Sequence, residues 1–294
     1  MSARFLTVVL ERAFNMRDGF GREIDYMRIS VIDSCNLNCY YCNPCDNNEH
    51  CHALNILSVK EVLCIVRAAT RLGIKHFRLT GGEPLLHPQL DEMVLQIKKI
   101  PGVSSVSLTT NAVLLVQHAK WLKEAGIDSI NVSLDTIDAS EYERITKKPL
   151  LEEVKNGINA AIECGIRVKI NVVLTPQTDV VALTRYVAKK GTDIRFIEMM
   201  PVGEGHTNGV EPYKKVIGTL SKLYGEPCRI NTEKTKEINS GNDKRKIPDN
   251  GPAEYYIFPE LGIRVGLIQA IHGKFCDTCN RIRVTADGRL MPCL

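Results

Sequence analysis

The sequence predicts an α/β protein built on a parallel sheet, either doubly wound or closed partway into a barrel. Three observations carry this. Short β-branched, apolar runs alternate with helical patterns six times along the chain. The connections are short, as when parallel strands are joined through helices. Six units fall short of the eight that a full (βα)8 barrel needs. With 294 residues, 44% hydrophobic and 24% charged, the chain can bury a substantial core.

The first strand is read at 28–33 (RISVID). Ser58 and Glu61 then form a capping box, and Val62, Leu63, Val66 and Ala69 lead to a helix stop at Gly73. The second and third strands are 75–80 (KHFRLT) and 105–110 (SVSLTT). A helix ending at Gly126 precedes the fourth, 129–135 (SINVSLD). Another, from about Leu151 to near Gly165, precedes the fifth, 167–174 (RVKINVVL), and the sixth is 193–198 (DIRFIE). Past Glu226 the texture changes. Residues 231–250 are polar and lysine-rich and read as a loop, followed by strand-like 254–258 and 263–268 and a hairpin around 286–288. This divides the chain into a core over 16–226 and a smaller C-terminal region over 227–294.

Lys+Arg is 38 against Asp+Glu 34, a net +4, too small a surplus to point to nucleic acid. The apolar stretch at 5–10 is too short for a signal-peptide core. The longest uncharged run, 100–119, contains Pro101, Gly102, Asn111 and Gln117 and reads as strand and loop, not a membrane span. A soluble, cytoplasmic protein is expected, its thiols reduced or bound to metal.

Eleven cysteines include two clusters. Cys35, Cys39 and Cys42 stand in CNLNCYYC just after the first strand; thiolates this close converge on one metal centre, as in iron–sulfur sites. Three thiolates on a four-iron cube leave one iron open, and an open position on a metal points to chemistry. Cys45 makes a fourth, so a closed structural zinc or iron–sulfur site stands beside this reading. Cys51 and Cys228 read as ordinary thiols, and Cys64 and Cys164, in helical patterns, as core. The second cluster is Cys276, Cys279 and Cys293, where the intervening VTADGRL hairpin folds the third thiol back toward the first two. A zinc ribbon completed by Cys228 or His272 is the alternative.

CxxxCxxC with an aromatic before its last cysteine resembles the radical S-adenosylmethionine (SAM) superfamily. The second cluster, with DGFGREIDYMRIS, LTGGEP, LTTN, INVSLDT, FIEMMPVG and CNRIRVTADG in order along nearly the whole chain, resembles the GTP 3′,8-cyclase family of molybdenum cofactor biosynthesis. Departures are Asn43 in place of Met, Ala112 in place of Gly, and His87 where another basic residue is common. The family's usual tail ending in paired glycines does not follow Cys293 here.

The resemblance implies an incomplete (βα)6 TIM-like barrel with a smaller C-terminal region that carries a second iron–sulfur cluster. It implies two [4Fe–4S] clusters, on Cys35, Cys39 and Cys42 and on Cys276, Cys279 and Cys293, the second holding guanine at its open iron. Tyr41, Gly82, Ser133 and Met200 would meet SAM; Asp135 could equally cap a helix. Arg28, Arg78, Thr109, Lys169, Arg281 and Arg283 would meet GTP. Cations inside strands are awkward unless they face a polar lumen, and Arg281 and Arg283, two apart, face one side. The implied reaction is reductive cleavage of SAM to a 5′-deoxyadenosyl radical, hydrogen removal from the ribose 3′ carbon of GTP, and attack of that carbon on C8 of guanine. No side chain stands out as final proton or electron donor. The implied partners are a flavodoxin- or ferredoxin-like reductant and a downstream cyclic pyranopterin monophosphate synthase, with the chain a monomer or homodimer and neither nucleic acid nor membrane involved. The alternatives are another radical SAM enzyme with an auxiliary cluster, acting on a peptide or haem precursor, and a non-catalytic zinc-stabilised binding module.

Overall fold

The structure, a computed structural model, describes residues 16–42, 55–201, 210–230 and 251–293. Asn43, Cys45, Cys51, the apolar stretch at 5–10 and the polar segment at 231–250 lie outside the described residues. Six parallel strands stand side by side in chain order: β1 (Tyr26–Ser30), β2 (His76–Thr80), β3 (Ser105–Thr110), β4 (Ser129–Ser133), β5 (Val168–Leu174) and β6 (Asp193–Glu198). A doubly wound sheet reverses its strand order partway across. This one does not, so right-handed crossovers put the connecting helices on one face, and the fold is the incomplete barrel.

The helices are α1 (Val59–Arg71), α2 (Leu90–Lys98), α3 (Leu115–Glu124), α4 (Ala139–Thr146), α5 (Leu151–Glu163), α6 (Val180–Lys189) and α7 (Gly218–Tyr224). The Ser58–Glu61 capping box at α1 forms as read. Cys64 is a correction: it is exposed, because the buried stripe of α1 is Val62, Val66 and Ala69, and Cys64 lies about 200° round the helix from Val62. Cys164 does pack against the core.

Alternation along the strands sorts the two faces of the sheet. Ile29, Phe77, Leu108, Val132, Ile170 and Phe196 are fully buried against helix residues such as Val66, Met93, Leu122 and Ile158. Burying each such side chain contributes roughly 1.5–3 kcal/mol. The residues between them are polar and line the inside of the barrel: Arg28 pairs with Arg78, Arg78 with Ser107, Thr109 with Asn131, and Asn131 with Lys169.

The C-terminal region extends both edges of this sheet. Strands β7 (Cys228–Ile230), β8 (Glu254–Ile257) and β9 (Arg264–Ile268) continue it beyond β6, with β9 parallel to β6 and the other two antiparallel. At the other edge β10 (Arg281–Val284) runs parallel to β1 and pairs antiparallel with β11 (Leu290–Met291), forming the expected hairpin. No described helix is long and apolar enough to cross a membrane.

Candidate functional site

The first cysteine loop leaves the C-terminal end of β1 and is held there by β2. Gly82 N donates to Ile32 O and Glu83 N to Ser34 O, each at 2.8 Å. A Cβ at Gly82 would lie 2.2 Å from Ser34 O, and one at Gly81 2.3 Å from Ile32 O. The two glycines are thus required by the close approach of the cysteine loop's own backbone. Glu83 is buried and accepts from Leu85 N at 2.9 Å, Thr110 Oγ1 at 2.7 Å and Asn111 N at 2.7 Å. Burial nevertheless pushes its carboxyl up to about 7. Asn111 Nδ2 in turn donates to Asn36 Oδ1 at 2.7 Å, bracing the loop from β3.

Burial pushes all three thiols up, Cys39 to about 12; Asp135 adds to the effect at Cys39 and Cys42, and the charge of Cys42 adds to it at Cys35 and Cys39. As bare thiolates they would be unfavourable; a cationic centre offsets the charge they share. The backbone N–H of Leu37 donates to Cys35 Sγ at 3.4 Å, as suits a ligating sulfur. Among the described residues no three His, Cys, Asp or Glu side chains converge as on a single metal ion. Three thiols on one short loop, each raised by burial, are the donor type that an iron–sulfur cluster takes.

Beside the loop, Cys39, Tyr41, Ser133 and Asp135 line one small pocket with Asn111 and Tyr142. Tyr41 Oη donates to Asp135 Oδ2 at 2.5 Å, and Val173 N donates to Asp135 Oδ1 at 2.7 Å. Burial raises the Asp135 carboxyl to about 6. The expectation that Asp135 caps a helix is corrected: Asp138 caps α4, and Asp135 ties Tyr41 to β5. Met200 follows β6 by two residues and is half-buried.

Inside the barrel the cations gather. Arg28 is flanked in register by Arg78 and Arg283, and Tyr26 by His76 and Arg281. Burial, followed by the charge of Arg78, pushes the Arg28 guanidinium down to about 9, with Arg283 and Arg281 adding to the effect; it stays protonated at neutral pH. Arg78 donates through Nε to the Tyr26 hydroxyl and through Nη1 to Thr109 Oγ1 at 3.3 Å. Arg281 lies 5.2 Å from the Phe275 ring centroid and donates from Nε to Cys279 Sγ at 3.4 Å. Among the described residues none of these four arginines pairs with a carboxylate. Lys169, on the other side of the lumen, packs 5.8 Å from the Tyr255 ring centroid. Arginines massed in a partly desolvated lumen, with no carboxylate partner among the described residues, form a site for a polyanion.

The second set of thiols borders that lumen. Cys279 N donates to Cys276 O at 3.2 Å in a 3-10 turn, Arg22 Nη1 donates to Cys276 O at 2.8 Å, and the charge of Cys293 acts on Arg283. The hairpin pairs Arg283 with Met291, and that register extended by two residues would set Cys293 across from Arg281. His272, the alternative zinc donor, is engaged through Nδ1 by Glu198. His87, one of the departures, is buried and neutral: Nε2 meets Leu57 O at 3.0 Å, Nδ1 accepts from Gln89 N at 3.1 Å, and burial lowers its pKa. It braces the loop and carries no charge toward the lumen.

Sequence reasoning missed Arg22, Tyr26, Glu83 and Glu198. For Tyr26 a signal existed, a polar residue at an end of an apolar strand and in phase with the lumen-facing Arg28; Glu198 is in phase with the core-facing Ile194 and Phe196, where its signal was a lone carboxylate closing an apolar strand. For Arg22 there was none, because its contact with Cys276 spans 254 residues.

Residues 29–183 match the radical SAM superfamily, and residues 192–294 match a family described as Molybdenum Cofactor Synthesis C. GTP 3′,8-cyclase from Clostridium perfringens (strain SM101 / Type A) is 37% identical over 282 residues, covering 95% of this chain and 83% of that protein. The GTP 3′,8-cyclase of Pelotomaculum thermopropionicum is 38% identical over 286 residues, covering 95% and 84%. Among solved structures, Streptococcus suis SuiB bound to S-adenosylmethionine matches with a TM-score of 0.64 at 15% identity, over 92% of this chain and 60% of that one. Methylornithine synthase matches with a TM-score of 0.55 at 17% identity, over 77% and 70%. At these identities the structural likeness is one of fold.

Proposed function

The chain belongs to the GTP 3′,8-cyclase family of the radical SAM superfamily, and we infer that it performs that family's reaction. It converts GTP to (8S)-3′,8-cyclo-7,8-dihydroguanosine 5′-triphosphate, the first step of molybdenum cofactor biosynthesis. The observation that carries the reading is the set of lumen-facing arginines, Arg28, Arg78, Arg281 and Arg283, which pair with no carboxylate among the described residues and lie near two sets of three cysteines. A peptide or a haem precursor offers no comparable density of negative charge, whereas a triphosphate does.

When bound on Cys35, Cys39 and Cys42, an iron–sulfur cluster together with SAM supplies the radical chemistry that removes a ribose hydrogen. The protein's own part is placement. In this reading Tyr41, Gly82, Ser133 and Met200 line the SAM side, with Tyr41 fixed through Asp135. The arginines, with Thr109 and Lys169, clamp the phosphates, and bidentate forks set orientation as well as affinity. Cys276, Cys279 and Cys293 would hold a second four-iron cluster, which would supply a ligand position for guanine. Holding GTP at both ends keeps the ribose carbon facing C8 and keeps water away while it is reactive. A low-potential reductant of flavodoxin or ferredoxin type and a cyclic pyranopterin monophosphate synthase that consumes the product complete the proposal.

The test is anaerobic reconstitution, iron analysis, and turnover with GTP, SAM and a strong reductant. About eight irons per chain are expected from two four-iron cubes, with 5′-deoxyadenosine and a cyclised nucleotide formed only when GTP is present. SAM cleavage indifferent to GTP would refute the substrate assignment, and zinc in place of iron would favour the non-catalytic alternative.

A further inference from the structure

We propose that Glu198 is a positioning residue that holds the segment leading into Cys276 and Cys279 against the end of β6, fixing the GTP half of the site relative to the SAM half. What the two halves hold rests on the functional reading above; the latch itself rests on geometry. Glu198 closes β6, pairs in register with Leu174, and is 3% exposed. Its carboxylate makes three contacts, all to the stretch just after β9. Oε2 accepts from Ile271 N at 2.7 Å and from His272 N at 3.1 Å, while Oε1 meets His272 Nδ1.

Two consecutive backbone N–H groups and a ring nitrogen on one buried carboxylate specify the direction in which the chain leaves β9. Four residues beyond His272 comes Cys276, and five beyond that Arg281, whose Nε donates to Cys279 Sγ. On the other side of Glu198 the chain continues directly into Met199 and Met200, toward the SAM side. The residue therefore stands where the two halves meet. A reaction in which a radical made in one half must find a substrate held in the other depends on that separation, and sub-ångström misplacement is costly. Gly273 belongs to the same tight packing, since a Cβ there would lie 2.9 Å from Gln269 Cβ.

The test compares reconstituted wild type, Glu198→Gln and His272→Ala under anaerobic turnover with GTP and SAM. It reads the ratio of 5′-deoxyadenosine to cyclised nucleotide, with amide hydrogen exchange across 269–276 measured on the same proteins. In Glu198→Gln the charge is lost and only one accepting oxygen remains, so the charge-assisted bonds to the backbone N–H pair and to the His272 ring cannot all be kept at full strength. The ratio is expected to rise at least ~5-fold, with exchange at Ile271 and His272 at least ~10-fold faster. His272→Ala keeps both backbone contacts and should raise the ratio about 2-fold. Its side chain is 44% exposed, so it folds even if the Glu198 variant does not, and it carries the same test. A merely structural role would lower both products together and leave the ratio unmoved. That result in both variants, beside a normal wild type, overturns the latch alone. A wild type that makes no cyclised nucleotide overturns the functional reading and the latch with it.

Discussion

Burial, more than any charged neighbour, sets the chemistry of single residues around this site. Glu83 is raised from an ordinary 4.5 to about 7 by desolvation, although three hydrogen bonds favour its charged form. A carboxylate whose folded pKa is raised costs stability above that pKa, and the cost is relieved as pH falls toward the unfolded value. The wild type should therefore gain on the order of 2 kcal/mol from this group between pH 8 and 5.5, and Glu83→Gln should lose that slope. Thermal midpoints across this range check it, and parallel pH profiles would contradict it. Arg28 presents the complementary case. It is a buried cation among cations, so Arg28→Met should raise the thermal midpoint of the ligand-free protein while weakening GTP binding at least ~10-fold, about 1.4 kcal/mol. Calorimetric titration with GTP and a melting curve read both; unchanged affinity would remove Arg28 from the site. Arg28, Arg78 and Lys169 stand out in the sequence as charges within apolar strands, whereas Thr109 entered only through the family resemblance. Asp135 was noticed but misread as a cap, since the sequence does not reveal that Tyr41, 94 residues away, donates to it.

At the scale of elements, legibility followed the clarity of the end signals. The helix opened by the Ser58 capping box and those stopped near Gly126 and Gly165 were read, while α2, α4 and α6 were not. Helix α2 has neither a side-chain cap nor a glycine just past its C-cap Lys99, and α4 is only 8 residues long and ends at Lys147, a left-handed position with φ 61° where a glycine would have announced the stop. Strand ends shifted by a residue or two for a similar reason: 28–33 became Tyr26–Ser30 once pairing with β10 recruited Tyr26. Close packing between elements yields its own prediction. Gly157 in α5 faces the turn after β3, and a Cβ there would lie 2.3 Å from Ala112 O. Ala112 sits at φ 65°, and its carbonyl is fixed in that turn, where it accepts from Leu115 N at 3.1 Å. Gly157→Ala gains about 1 kcal/mol of helix propensity but forces the two segments apart at a cost of roughly 1–3 kcal/mol. The melting temperature should fall by a few degrees, and a rise would show that the contact yields freely.

At the scale of the molecule, one sheet supplies both the core and the site. Its outer face, covered by helices, is apolar, and its inner face carries Arg28, Arg78, Arg281 and Arg283, which pair with no carboxylate among the described residues. Periodicity revealed the strands, but it could not choose between a doubly wound sheet and a barrel, because both arise from the same alternation. Strand order decided it, and strand order is a long-range property. The same holds for the C-terminal region, which composition set apart but which extends both edges of the sheet, with β10 beside β1 and β9 beside β6. That arrangement brings the second set of cysteines to the lumen where the arginines converge. In the proposed reaction GTP spans this lumen with its guanine on the second cluster. The most direct measurement is electron–nuclear double resonance on the reduced, reconstituted protein with GTP labelled with 15N in the base. The account predicts a 15N coupling that appears on GTP binding and is lost in Cys293→Ala. Saturating GTP with no coupling, or a fourth protein ligand on that cluster throughout turnover, would contradict it.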